Sequence, residues 1–405
     1  MAPAREEPGP RPAAGAISLT TLKDAFVERF GCNCAVAARA PGRVNLIGEH
    51  TDYNDGFVLP MAIEHCTWVA AAPRDDGHVH AVSLDVRSEG LWPVDDWNAG
   101  RCAPWTSYVA GVVSLLRQRG ADLAGCDLLV RSDVPVGGGL SSSAALEVAA
   151  AQALAAIGGL VLEPTELADL CRAAEHQFAG VPCGIMDQYV SVLARADSAL
   201  LLDCRARTWE HIPLDLNDHV VLVVDSGVRH RLAAGEYAAR QRQCRQAVEY
   251  FQRVDPRVRA LRDVGADVLQ VHAPRMEPVA AARARHVVSE NDRTLEAAGA
   301  LRHGDLALLG RLMSASHRSL RDDYQVSCRE LDLLVETIEM IPGVLGARMT
   351  GAGFGGCVVT IVRREAIPLV EAAVREKYDG AGFGPARIIL TRAGRGASIE
   401  FGGSG

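Results

Sequence analysis

Pro135-Val136-Gly137-Gly138-Gly139-Leu140-Ser141-Ser142-Ser143 runs without a break into AALEVAAAQALAAI, residues 144–157, and stops at Gly158-Gly159. Nearly every residue from Ser141 to Ile157 is a good helix former, and the serines at its start are able to cap, so the segment predicts a helix. Three glycines ahead of it let backbone N–H groups converge without side-chain obstruction. With the helix's open amides and positive dipole end, they would cradle a phosphate, and a hydroxyl of the same turn can coordinate Mg²⁺. A flexible loop before a serine-capped helix fits the same residues. No Gly-Lys-Ser/Thr follows, so the loop is not a Walker A, and it lacks the G-x-G-x-x-G spacing of dinucleotide folds.

Downstream, Pro164-Thr165 opens a second predicted helix over 164–179, with Leu167, Leu170, Cys171, Ala174 and Phe178 on one face and Glu175 and His176 in its last turns. Then comes Val181-Pro182-Cys183-Gly184-Ile185-Met186-Asp187-Gln188-Tyr189, whose Asp187 is placed to be partly buried, or else to cap a helix. Upstream, the segment from Gly42 to Tyr53 packs Arg43, Glu49, His50 and Asp52 into ten residues between glycines. Clustered carboxylates with a histidine in a turn-rich stretch suit the vicinal hydroxyls of a sugar, although such residues also cap hairpin turns. Near the other end, Thr350-Gly351-Ala352-Gly353-Phe354-Gly355-Gly356-Cys357 holds four glycines in six residues. That density implies positive φ angles or close backbone approach to a ligand.

The remaining pattern predicts a helix at 20–30 ending at Gly31, short strands at 35–39, 66–72, 126–131 and 219–224, and helical stretches at 235–253, 259–269, 279–318 and 328–340. A strand-turn unit closes on ARMT and CVVTIVRR, and a strand around 386–401 could return to the first domain. At 405 residues the chain exceeds one ordinary core, and its character changes near 205. The expected division is a disordered tail at 1–18 and domains at 19–205 and 206–405. The Pro- and Ala-rich tail has no apolar segment of a secretory signal, and no apolar run reaches the roughly 18 residues of a membrane span. A net charge of −8 disfavours a protein that grips nucleic acid or anionic membrane. Eleven scattered cysteines with no C-x-x-C pair indicate reduced thiols and a cytoplasmic protein, with Cys32 and Cys34 expected on one face of a strand.

In their order and spacing, the four polar and glycine-rich segments closely resemble the galactokinases of the GHMP kinase superfamily. The stretch Gly42–Tyr53 looks like the galactokinase signature, and GGGLSSSA and TGAGFGGC look like the second and third GHMP motifs. The resemblance covers about residues 20 to 400. It implies an α+β, two-domain GHMP kinase fold with the active site between the lobes, and transfer of the γ-phosphate of ATP to the C1 hydroxyl of D-galactose. It makes Asp187 the proton acceptor and Arg43 the transition-state stabiliser. Glu49, His50, Thr51, Asp52, Gly184 and Tyr237 would bind the sugar. Gly137, Gly138, Gly139, Leu140, Ser141, Ser142 and Ser143 would cradle ATP, and Ser143 and Glu175 would hold Mg²⁺. No obligate protein partner is evident.

The physical reading agrees. Phosphoryl transfer needs positioning and charge neutralisation, which helix amides and Arg43 supply, and a cation beside Asp187 favours its charged form. Two positions depart from the family pattern: Ala352 stands where many relatives have Gly, and an expected arginine pair is split as Arg240-Gln241-Arg242. N-acetylgalactosamine kinases and L-arabinokinases share the acidic sugar motif, and non-catalytic galactose sensors share much of the rest. The intact serine run argues against the sensor.

Overall fold

The computed structural model describes residues 17–229 and 233–402, so residues 1–16 of the expected tail lie outside the described residues. The first helix, Leu19–Phe30, starts where the Ser18 hydroxyl accepts from the Thr21 amide and stops at left-handed Gly31 (φ 72°). A six-stranded sheet follows. In spatial order its strands are Ser398–Phe401, Val36–Asn45, Pro60–Pro73, Cys126–Ser132, His78–Ser83 and Ser88–Pro93. All neighbours are antiparallel except His78–Ser83 and Cys126–Ser132, which run parallel. The two central strands are longer than their apolar runs suggest, because pairing continues inward through Pro41 and Cys66 to Asn45 and Pro60. Only 46–59 is left as a loop-rich centre. Cys32 and Cys34 precede the strand rather than sharing a face of it, so Cys32 is exposed and Cys34 buried.

The glycine-loop helix, Ser142–Ile157, lies on this sheet. Its alanines at 144, 145, 149, 150, 151 and 153 are fully buried, which lets the helix sit close to the strands and explains its lack of a polar face. Ser141 does not cap it. That residue adopts a left-handed conformation (φ 58°) and its hydroxyl goes elsewhere. The second helix ends at Ala174, and Glu175–Ala179 continue as a single π-helical turn, a local widening of the kind that recurs at functional sites.

A second, antiparallel sheet orders Val344–Thr350, Gly355–Arg363, His219–Arg229 and Arg387–Thr391, and a three-stranded sheet joins Phe57–Val58, Ser198–Asp203 and Thr208–Pro213. The helical stretch expected over 279–318 divides into Pro278–Arg302 and Leu306–Ser319. Left-handed Gly304 breaks it and Asp305 caps the second helix. The stretch at 259–269 is shorter than expected, a 3₁₀ turn at Leu261–Asp263 and a helix at Ala266–His272. Of the region 386–401, Arg387–Thr391 stays with the second sheet and Ser398–Phe401 crosses to the first. Val44 and Met61 of the first sheet, Val221 and Val359 of the second, and Leu309 between them belong to one buried apolar cluster. The two halves therefore share a core.

Two close approaches bring the polar segments together. At the register irregularity between Pro41 and Arg43, a Cβ on Gly42 would lie 2.7 Å from the Leu140 carbonyl oxygen. Gly351 (φ 90°) sits as near to Gly139, where a Cβ would meet its oxygen at 2.9 Å. Gly42→Ala should accordingly cost about 1–3 kcal/mol of unfolding free energy by overpacking. Urea unfolding of the variant against the parent measures it.

Candidate active site

The strand Val36–Asn45 delivers Arg43 beneath the glycine loop, and the first turn of helix Met186–Leu193 delivers Asp187 opposite it. The Arg43 Nε and one terminal nitrogen donate to the two Asp187 oxygens at 2.8 Å each, a bidentate pair. Its other terminal nitrogen donates to the Gly139 carbonyl at 2.5 Å, and the Ser141 hydroxyl donates to Asp187 Oδ2 at 2.5 Å. Burial alone would make Arg43 easier to deprotonate, but Asp187 and Glu49 outweigh it and raise its pKa.

These groups open onto a cavity of about 490 Å³ whose wall includes Arg43, Asp52, Glu175, Asp187, Tyr237 and Ala352. A larger hollow of about 610 Å³ lies by the 213–217 turn, but Arg392 there is exposed and paired with Glu64, and none of the motif residues reach it. Burial, helped by Asp187 and Glu49, pushes the Asp52 carboxyl up to about 7. Gly184 makes room for that carboxyl: a Cβ there would come within 1.5 Å of Asp52 Oδ2. Burial also drives His50 well below the usual histidine range, with His286 and Arg240 adding to it, so the imidazole is neutral. The Tyr237 phenol is pushed far up by burial and Asp52.

Not every predicted residue faces the cavity. Thr51 is buried and donates its hydroxyl to the carbonyls of Gly48 (2.8 Å) and Phe57 (2.6 Å), so it shapes the turn instead of lining the site. Leu140 packs into the shared core. Glu49 reaches the cavity wall, yet its oxygens already accept from the Gly351 amide at 2.6 Å and the Asn45 side chain at 3.0 Å. It ties the sugar motif to the third glycine motif. Gly137, Gly138 and Gly139 form the open loop, with Gly137 (φ 71°) and Gly139 (φ 74°) left-handed, and Ser142 and Ser143 start the helix.

Glu175 stands at the far side. Burial and Asp187 raise its pKa, against hydrogen bonds from Cys183, Ser143 and Gln188. Gln188 Nε2 bridges Glu175 (2.6 Å) and the buried Glu147 (3.1 Å). A buried carboxylate beside a serine hydroxyl offers the hard oxygen donors that Mg²⁺ takes from a protein when phosphates and water complete its shell. The residues fit that ion.

Sequence reasoning missed Tyr108, Arg229, Glu147 and Gln188. Tyr108 lines the cavity from helix Thr106–Gln118, which carries no motif. Arg229 leans over Gly137 and Gly138 from the end of its strand, held by Asp225 at 2.9 and 2.7 Å. Glu147 alone gave a signal, a single charge inside an alanine-rich helix.

Three family models match: the galactokinase galactose-binding signature over residues 24–73, the GHMP kinase N-terminal domain over 107–195 and the GHMP kinase C-terminal domain over 297–380. The chain is 48% identical to a galactokinase of Roseiflexus over 375 residues, 93% of this chain and 95% of that one. The chain belongs to the galactokinase family. It is also 44% identical to the human galactokinase, across 94% of this chain and 96% of that one. A crystal structure of Lactococcus lactis galactokinase complexed with galactose superposes with a TM-score of 0.89 at 33% identity, covering 94% of this chain and 99% of the other. A Methanococcus jannaschii mevalonate kinase, at 17% identity and a TM-score of 0.64, shares the fold. In this galactokinase family member the segment Gly42–Tyr53 and the glycine loop meet where its two halves join.

Asp52 makes the stability of this site depend on pH. Because its folded pKa lies above the unfolded value, folding carries no penalty from it below about pH 4. The penalty grows between pH 4 and 7 and is constant above. Asp52→Asn should remove roughly 1–3 kcal/mol of that loss. Urea unfolding of parent and variant at pH 4.5 and 8 checks it through the difference between their slopes with pH.

Proposed function

We propose that this protein is an ATP-dependent sugar 1-kinase that transfers the γ-phosphate of ATP to the C1 hydroxyl of D-galactose, giving galactose 1-phosphate and ADP. One observation carries the reading. Asp187, gripped by Arg43, stands in a single cavity whose wall includes the acidic sugar motif and Gly137 of the glycine loop. Relatives at 44–48% identity, all galactokinases, support the same reaction.

The geometry supports the assigned roles. Open amides of Gly137–Ser143 and the helix dipole receive the nucleotide phosphates. The sugar lies over Gly184, with its hydroxyls donating to Asp52 and, at C1, to Asp187. His50 and Tyr237 close the pocket. Asp187 accepts three hydrogen bonds, from two nitrogens of Arg43 and from Ser141, which hold it aimed at the cavity. A carboxylate suffices as proton acceptor when bond breaking to the leaving ADP runs ahead of bond formation, because the hydroxyl proton becomes acidic as its oxygen takes the phosphoryl group. Arg43, fixed on both Asp187 and the loop carbonyl, meets the charge that develops on the transferring group without having to reorganise. Ser143 and Glu175 would hold Mg²⁺, which neutralises phosphate charge. A cytoplasmic setting is supported by eleven free thiols. Among the described residues no helix is long and apolar enough to cross a membrane.

Steady-state ADP release with D-galactose, N-acetylgalactosamine, L-arabinose and D-glucose tests the reading. Galactose-selective turnover is expected, and turnover confined to another sugar would overturn it. Asp187→Asn keeps the shape of the side chain but cannot take the proton, so kcat should fall about 10²- to 10⁴-fold. Calorimetric titration with galactose should still show binding. Glu175→Gln should raise the Mg²⁺ concentration needed for half-maximal rate about tenfold and leave galactose binding without nucleotide unchanged.

A further inference from the structure

Behind the imidazole of His50 runs a line of hydrogen bonds that the reaction as described does not use. The Tyr53 hydroxyl lies 2.7 Å from His50 Nδ1, the Tyr324 hydroxyl 2.7 Å from that of Tyr53, and the Cys244 thiol 3.2 Å from that of Tyr324. The Asn54 side-chain amide donates to Cys244 Sγ at 3.7 Å and to the His50 carbonyl at 2.8 Å. His50, Tyr324 and Cys244 are buried, and among the described residues His50 Nε2 is buried without a hydrogen-bond partner.

Each hydroxyl and thiol carries one proton, so four arrangements make all three contacts, and the three in which His50 donates to Tyr53 each leave one hydroxyl or thiol proton without an acceptor in the line. If protons point from His50 toward Cys244, the thiol sulfur accepts from both Tyr324 and Asn54 and its own hydrogen has no acceptor. Nε2 would then present a lone pair to a cavity already lined by the acceptors Glu49 and Asp187. In the opposite direction every proton is used. Asn54 donates to the sulfur, the thiol to Tyr324, Tyr324 to Tyr53 and Tyr53 to His50 Nδ1.

We propose that Tyr53 is a positioning residue that donates to His50 Nδ1, with Tyr324 and Cys244 aligned behind it, so that the neutral imidazole carries its proton on Nε2 and donates to a sugar hydroxyl. The proposal rests on the sugar-kinase reading for its ligand. The low proton affinity of His50 keeps the ring neutral, against a backbone contact from Ala352 that favours its protonation. The site then offers the imidazole as a neutral donor close to carboxylate acceptors, and a hydroxyl can satisfy both at once. A site built this way discriminates sharply against a sugar lacking that hydroxyl.

The nitrogen-15 NMR spectrum of histidine-labelled full-length protein without sugar, with His50 identified by its loss in His50→Gln, reads the tautomer directly. The expected result is a protonated Nε2 and an unprotonated Nδ1, and the reverse assignment overturns the proposal. Tyr53→Phe keeps the ring packed against Tyr237 but should mix the two tautomers and raise the galactose KM about tenfold with the ATP KM unchanged. Tyr324→Phe leaves the donation from Tyr53 in place and should keep the parental tautomer with a smaller rise in KM. Equal effects of the two variants on KM would mean packing alone, and would sink the idea. If galactose fails to bind the parent protein, the functional reading fails, and the nitrogen spectrum still decides the direction of the hydrogen bonds.

Discussion

The buried guanidinium of Arg43 is the point at which three segments far apart in the chain are joined. It grips Asp187 with two hydrogen bonds and the Gly139 carbonyl with a third. A charge in that position is tolerable only because its partners are in place. Removing one would leave an ion without compensation in a poorly polarisable interior. The fold supplies the partners through close backbone contact. Gly42 lets the strand touch Leu140, and Gly351 lets the third motif touch Gly139. Glycine here serves proximity as much as left-handed geometry, and the charged pair is fixed in place by backbone that cannot back away.

A second polar layer supports the sugar motif from the other half of the chain. Glu290, on helix Pro278–Arg302, is fully buried and accepts from the amides of Gly48 (3.0 Å) and Glu49 (3.3 Å) and from the Ser316 hydroxyl (2.6 Å). Against its burial, Arg293, His286 and Arg348 hold its pKa down to about 2. His286 Nε2 bonds the Glu49 carbonyl, and Arg348 donates to the Asn45 carbonyl. The left-handed backbone at Gly48 and His50 is thus kept by groups that never meet substrate.

The glycine loop, its helix and the sugar motif are legible in the sequence because each is local: propensity, capping residues and clustered charges sit within a dozen positions. The Arg43–Asp187 pair is legible only through resemblance, since nothing in the spacing of residues 43 and 187 brings them together. Thr51 shows the converse. Its residue type suits a sugar, but its hydroxyl goes to carbonyls of the turn it belongs to, whereas Glu49 stays in the cavity wall while accepting from Gly351 and Asn45. Ser141 looks like a cap and becomes a support for Asp187, because its left-handed backbone turns the hydroxyl away from the helix amides. Tyr108 and Arg229 are invisible for want of any motif, and the breaks at Gly304 and in the π turn at Glu175 are tertiary choices that periodicity does not record.

The small strand Ser398–Phe401 pairs with Val36–Asn45 at the edge of the first sheet. During synthesis that edge stays open until residues 398–401 have left the ribosome, long after the glycine loop and sugar motif have emerged. Together with the apolar cluster shared by the two sheets, this makes the halves mature jointly. The strand that carries Arg43 gains its last neighbour only when the second sheet is already available to pack beside it.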